Sequence, residues 1–405
     1  MIKDFGLADA SPPVRPLCSS VSNNPKSAIP NPKSKMWHYF PGQYMPSYQV
    51  NRALTQAHYG GGEFAECLEV ASQITPGDNE SFHAAWVSMG NKVFAIGETA
   101  LANGNPITAR RSMLRAFNYL RTAEFFLKPS DPRKMPTYLK AREAFLQAIA
   151  QFDQKPVQVQ VPFEDSFLPG YLFAPAGIQH PPLMIMFGGL DSLAEELYFG
   201  ISQHLNERGI ALLAMDGPGQ GYALRVNHIL TRYDFNVAGT AVLDWAINNL
   251  GDHVDTTRIG IGAVSMGGYM AARCAAFEPR FKVCMVFGAV WSYYDIWKNR
   301  PDTHPLAEIV QHIVGADNMA DARERLKQFA LDDVAGQISM PTYILHGEDD
   351  RQNFVENAYK LDAALTCEHV LEVVPKEESG SAHCQIDDFT KTFNMYDWIA
   401  KKLNS

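Results

Sequence analysis

The chain is sparing with cysteine, and the six it has (Cys18, Cys67, Cys274, Cys284, Cys367 and Cys384) include no C-x-x-C pair and no metal-ligand spacing. A disulfide framework and a zinc site are therefore not expected, and the thiols read as reduced and mostly buried, with no cofactor implied. Positive charge is also short: 35 Lys and Arg stand against 44 Asp and Glu, a formal net charge of -9. A nucleic-acid partner would require a basic face, so none is expected. No run of 18 apolar residues occurs, which argues against a membrane span. The opening MIKDFGLADASPPVRPLC has no apolar stretch of signal-peptide length, so the expected location is the cytoplasm. What the chain does have is ordinary globular composition, 46% hydrophobic and 20% charged over 405 residues. That is enough for a large core, and more chain than one average domain uses.

Three segments follow from composition and periodicity. Residues 1–35, rich in Pro, Ser, Asn and Lys, read as an extended or disordered arm. Residues 36–153 read as a helical domain of four or five helices, including stretches over 63–74 and 82–101. Asn105-Pro106 looks like a helix start, since Asn can cap free amides and Pro tolerates the first turn. Met113, Phe117, Leu120 and Ala123 then recur at helical spacing, and Ser130-Asp131-Pro132 announces a further helix bearing Tyr138, Ala141, Phe145 and Ile149 on one face. Helical spacing by itself predicts a buried face and no ligand.

From residue 154 to 405 the rhythm changes. PVQVQVPF alternates like a half-buried strand, and GYLFAP is its expected hairpin partner. The short apolar runs LMIMF, IALLAM, RIGIGAV, KVCMVF, TYILH and HVLEVV then alternate with helical text. Strands that are apolar throughout are buried on both faces, which predicts an α/β fold with a mostly parallel central sheet covered by helices.

The chemistry concentrates in three loops. In Ala263-Val264-Ser265-Met266-Gly267 a serine stands between a strand and a helix, where a tight turn lifts the hydroxyl clear of the sheet; Ala replaces the usual first Gly of G-x-S-x-G. A serine needs a base, and the base an orienting acid. TYILH runs into HGEDDR, where Asp349 and Asp350 both qualify; Asp350, three residues beyond Gly347, has the usual hydrolase spacing. The loop after the last strand, PKEESGSAHCQIDD, holds His383. An oxyanion hole needs two backbone amides, for which Met266 and either Gly189 or Leu190, in FGGLD, are the candidates.

Taken together, FGGLDSLAEEL, MDGPGQG, the serine turn and HGEDDR resemble the α/β-hydrolases that include 2,6-dihydroxypseudooxynicotine hydrolase and the fungal polyketide-tailoring hydrolases of fusarin and cytochalasan pathways. The resemblance implies a catalytic triad of Ser265, Asp350 and His383, a helical N-terminal lid, and a small-molecule ketone, β-dicarbonyl or ester substrate drawn from polyketide or polyketide–peptide metabolism. It also implies that carbon–carbon bond hydrolysis belongs to the family's range, for which Asp295 is a candidate auxiliary acid. Trp291, Tyr293, Tyr294 and Trp297 could line an aromatic pocket or pack in the core. The alternatives are a cyclase in which His383 acts as base with no acyl-enzyme, and a non-catalytic binding protein. Oligomeric state does not follow from sequence; a homodimer is compatible with it.

Overall fold

The computed structural model describes residues 36–404, so the N-terminal arm expected over 1–35 lies outside the described residues. Five helices come first: α1 (Tyr44–Thr55), α2 (Phe64–Ser72), α3 (Asn79–Ala102), α4 (Pro106–Ala123) and α5 (Lys134–Ile149). Their starts are set locally. The Asp78 side chain accepts a hydrogen bond from the Glu80 amide at the head of α3, whereas Asn105 occupies the N-cap of α4 with no side-chain bond. The expected asparagine cap is thus replaced by Pro106 alone, whose ring sets the first helical φ. Glycines let α3 approach α4 closely: a Cβ on Gly90 would stand 2.8 Å from Leu120 Cγ.

The chain then enters β1 (Val157–Phe163) and β2 (Ser166–Phe173), an antiparallel hairpin closed by Glu164-Asp165 with Glu164 at φ 51°. Six more strands follow: β3 (Leu183–Phe187), β4 (Ala211–Met215), β5 (Ile259–Val264), β6 (Cys284–Phe287), β7 (Thr342–Gly347) and β8 (His369–Val374). All eight form one sheet in the order β1-β2-β4-β3-β5-β6-β7-β8, parallel from β4 to β8. The strand order reverses at β3, and in open α/β sheets such a reversal opens a crevice beyond the carboxyl ends of the strands. Between and after the strands run α6 (Ile201–Glu207), α7 (Gly221–Arg225), α8 (Asn236–Asn249), α9 (Gly267–Phe277), α10 (Tyr293–Trp297), α11 (Ala307–Val314), α12 (Met319–Leu326), α13 (Glu356–Ala364) and α14 (Phe393–Leu403).

The central strands are buried on both faces, as continuous apolar runs require, but β8 is not. HVLEVV is the sheet's edge and is half-buried along most of its length, with Glu372 accepting from Tyr343 Oη. Along β3 the side chains divide by the pleat: Leu183, Ile185 and Phe187 join one apolar cluster, Met184 and Met186 the other. The second cluster also holds Trp86, Phe117 and Phe145 from the N-terminal helices. Phe145 packs edge-on against Tyr171 of β2 at 5.4 Å between ring centroids. The N-terminal helices and the sheet therefore share one core, and from residue 36 onward the chain belongs to one compact unit. Among the described residues no helix is long and apolar enough to cross a membrane. Four of the five cysteines among them are buried.

Candidate active site

Ser265 follows directly on β5 and precedes α9 with φ 63°, a left-handed conformation that a non-glycine residue adopts only under constraint. The constraint is visible on both sides. Its amide donates to the Phe287 carbonyl at 2.7 Å, and the Gly268 amide returns to the Ser265 carbonyl at 2.8 Å. A Cβ on Gly267 would lie 2.5 Å from the Gly188 oxygen and 2.6 Å from the Ala263 Cβ. Alanine at 263 is thus accommodated because residue 267 has no side chain.

Three loops converge on this serine. Ser265 Oγ is 2.8 Å from His383 Nε2, and His383 Nδ1 is 2.6 Å from Asp350 Oδ2. The other carboxylate oxygen of Asp350 accepts from the amides of Gln352 and Asn353, each at 2.8 Å. Asp349 points elsewhere, 3.6 Å from Arg351, so of the two adjacent carboxylates only Asp350 meets the histidine. Burial opposes a charge on His383, but the Asp350 carboxylate overcomes it and raises the imidazole's pKa above its ordinary value. Asp350 is fully buried, which would favour the neutral acid; the facing His383 ring wins and holds it below the usual carboxylate range. A second histidine, His346, approaches Asp350 Oδ2 at 3.6 Å. Its Nδ1 accepts from the Ala289 amide, which leaves Nε2 as the donor to the Asn353 carbonyl, and burial lowers its pKa. His346 is a neutral brace for the acid loop.

The oxyanion candidates separate on geometry. The Gly189 amide donates to Ser192 Oγ at 2.8 Å and is already committed. Its bare Cα is what matters, because a Cβ there would stand 2.7 Å from Ser265 Cβ. The Leu190 amide and the Met266 amide at the start of α9 have no acceptor among the described residues. The loop is held from below by MDGPGQG: Gln220 Nε2 donates to the Gly188 carbonyl, and Asp216 accepts from the Ala194 and Tyr222 amides.

One expectation needs correction, and one open alternative divides. Asp295 is not among the residues lining the pocket; it is half-buried near the surface and paired with Lys298 at 2.8 Å and Lys360 at 3.6 Å. The Lys298 contact holds its carboxyl below the ordinary range, so it is an ionised surface group unsuited to donating a proton. Of the four aromatic residues in that stretch, Tyr293 and Trp297 line the pocket while Trp291 and Tyr294 pack away from it.

Sequence reading missed the roof. Met45, Tyr48, Gln49 and Arg52, along one face of α1, line the same pocket as Ser265 and His383. The Tyr48 hydroxyl donates to the His383 carbonyl at 3.4 Å. Cys384, buried at 3.6 Å from His383 Nε2, was also not anticipated. The i, i+3, i+4, i+7 spacing of the α1 residues signals only that this face is covered, and does not say by what.

Sheet order, strained serine turn and converging loops define an α/β-hydrolase fold. Residues 82–316 match the family model described as FrsA-like, esterase FrsA-like, and the chain belongs to that family. Among curated relatives, the hydrolyase poxO of Penicillium oxalicum is 35% identical over 272 residues, 65% of this chain and 63% of its own. The 20-hydroxy-prefusarin hydrolase FUS2 of Gibberella moniliformis is 34% identical over 263 residues, 63% of this chain and 62% of its own. The matches thus span just under two thirds of these relatives. The crystal structure of 2,6-dihydroxy-pseudo-oxynicotine hydrolase superposes with a TM-score of 0.75 at 24% identity, covering 86% of this chain and 95% of that one.

Proposed function

We propose that the protein is a serine hydrolase that cleaves an ester or β-dicarbonyl group of a secondary metabolite through an acyl-enzyme on Ser265. The observation that carries this reading is the unbroken hydrogen-bonded line Ser265 Oγ–His383 Nε2, His383 Nδ1–Asp350 Oδ2. In the proposed reaction His383 removes the Ser265 proton as Oγ attacks the carbonyl carbon, and Asp350 stabilises the imidazolium that results. The Leu190 and Met266 amides face the developing oxyanion, and His383 then protonates the leaving group. With Asp295 outside the pocket, a carbon leaving group must depart as an enolate stabilised by its own second carbonyl. The pocket wall, with Phe125, Leu190, Leu197, Phe287 and Ile296, suits an apolar substrate. One relative is named a 20-hydroxy-prefusarin hydrolase, which supports a prefusarin-like metabolite as substrate. The N-terminal helices, α1 above all, act as the lid that limits water in this pocket.

A fluorophosphonate probe followed by intact-mass analysis tests the mechanism. Labelling of the parent and none of Ser265→Ala is the expected result. An unlabelled parent that still converts its substrate would replace the acyl-enzyme by a cyclase reaction using His383 as base.

A further inference from the structure

The apolar pocket contains a polar atom that nothing among the described residues satisfies. Gln49, on α1, is 1% exposed and lines the pocket, yet its buried carboxamide oxygen Oε1 has no hydrogen-bond partner among the described residues. A buried, unpartnered carbonyl oxygen costs about 1–3 kcal/mol, so a structural role would be better filled by an apolar side chain of the same size. Its surroundings are polar in the same direction. One turn further along α1, Arg52 also lines the pocket and spends one guanidinium nitrogen on Glu196 Oε1 at 2.6 Å. Gln56, just beyond the helix, lines the pocket with a buried Oε1 that has no partner among the described residues. Arg52 shares Glu196 with the buried Arg121, so the carboxylate does not occupy all of its donors.

The position of the wall relative to the chemistry follows from α1. Met45 at its start contacts Gln352 of the acid loop, with Nε2 to Sδ at 2.8 Å, and Tyr48 touches His383. Arg52 reaches Glu196 beyond the oxyanion loop. α1 therefore spans the pocket from the acid loop to the oxyanion side, and its polar face begins within about one turn, roughly 5 Å, of the histidine.

We infer that Gln49 and Arg52 form a subsite for a secondary amide set apart from the scissile carbonyl. The amide N–H donates to the buried Gln49 Oε1, and a free N–H of Arg52 donates to the amide oxygen. The inference rests on the active-site reading above for which carbonyl is cleaved, but the subsite itself is tested by binding alone. The matched probes are an N-alkyl acylamide and the ketone in which CH₂ replaces N–H, titrated calorimetrically into the Ser265→Ala protein. The amide should bind about tenfold more tightly, the equivalent of one hydrogen bond to a buried acceptor. Adding Gln49→Met, nearly isosteric and apolar, should bring the two affinities together. Equal binding in Ser265→Ala, binding of neither probe, or a preference that survives Gln49→Met would overturn the subsite. Gln49→Met alone should have a Tm no lower than the parent, because it removes an unsatisfied buried group. A Tm several degrees lower would show that Gln49 is a structural residue. Failure of the fluorophosphonate reaction at Ser265 would leave these binding outcomes unaffected, so the two ideas fail separately.

Discussion

At Ser265 the φ of 63° is held by backbone hydrogen bonds to Phe287 and Gly268, and the proposed triad makes each of its members separately testable. Ser265→Ala, His383→Ala and Asp350→Asn should each lower kcat by about 10⁴ or more, measured on any turned-over ester in proteins shown to be folded. Asp349→Asn should do far less, since Asp349 pairs with Arg351 and not with the histidine. Equal losses at 349 and 350 would contradict the geometry. The pH profile carries a sign. The base must be neutral to accept the serine proton, and Asp350 raises the folded-state pKa of His383 above 6.5. Protonated, inactive histidine therefore persists to higher pH, and activity is lost as pH falls through the raised value. The ascending limb of kcat/KM should have its midpoint above 6.5, and Asp350→Asn should move the limb to lower pH. A midpoint at or below 6.5 in the parent would contradict the assignment.

Elements meet at this site through backbone contact and buried charge. α9 crosses so close to the loop after β6 that a Cβ on Gly268 would stand 2.2 Å from the Gly288 oxygen. Backbone cannot yield as a flexible side chain would, so Gly268→Ala should destabilise the protein by about 1–3 kcal/mol or more in denaturant melts. The N-terminal helices grip the loop after β3 with ions: Arg121 of α4, 1% exposed, reaches Glu196 Oε1 at 2.8 Å and the Asp191 carbonyl at 3.0 Å. Arg225 joins Asp191 and Glu124 in the same buried network. Removing one partner strands the others without compensation, so Arg121→Met should cost about 3–5 kcal/mol in chemical denaturation. An unchanged midpoint would mean that the pairs contribute nothing net.

On the scale of the whole molecule, the N-terminal helices are part of the core. Trp86, Phe117 and Phe145 pack into the cluster that contains Met184, Met186 and Tyr171 of the sheet. Deleting residues 1–150 would bare that face, and the truncated chain should aggregate and lose activity on its substrate. A soluble, monomeric truncation with parental turnover would show that the sheet covers its own face and that these helices do not form the lid.

Local pattern determined a good deal of this protein. Continuous apolar runs located the buried parallel strands, because a strand covered on both faces has no polar side to show. The small residues around Ser265 announced the serine turn, since only such residues fit where strand and helix touch. That Asp350 and His383 would lie beside Ser265 was legible because each follows a strand end, the place to which this sheet topology sends its loops. Tertiary structure decided the rest. Gly189 and Leu190 could not be told apart until the Ser192 hydroxyl was seen to occupy one amide. Asp295 looked available until Lys298 and Lys360 were found beside it on the surface. Tyr48, Gln49 and Arg52 read as one more amphipathic face, because helical periodicity records that a face is covered and carries no information about what covers it; only packing α1 over His383 made that face the roof of the pocket.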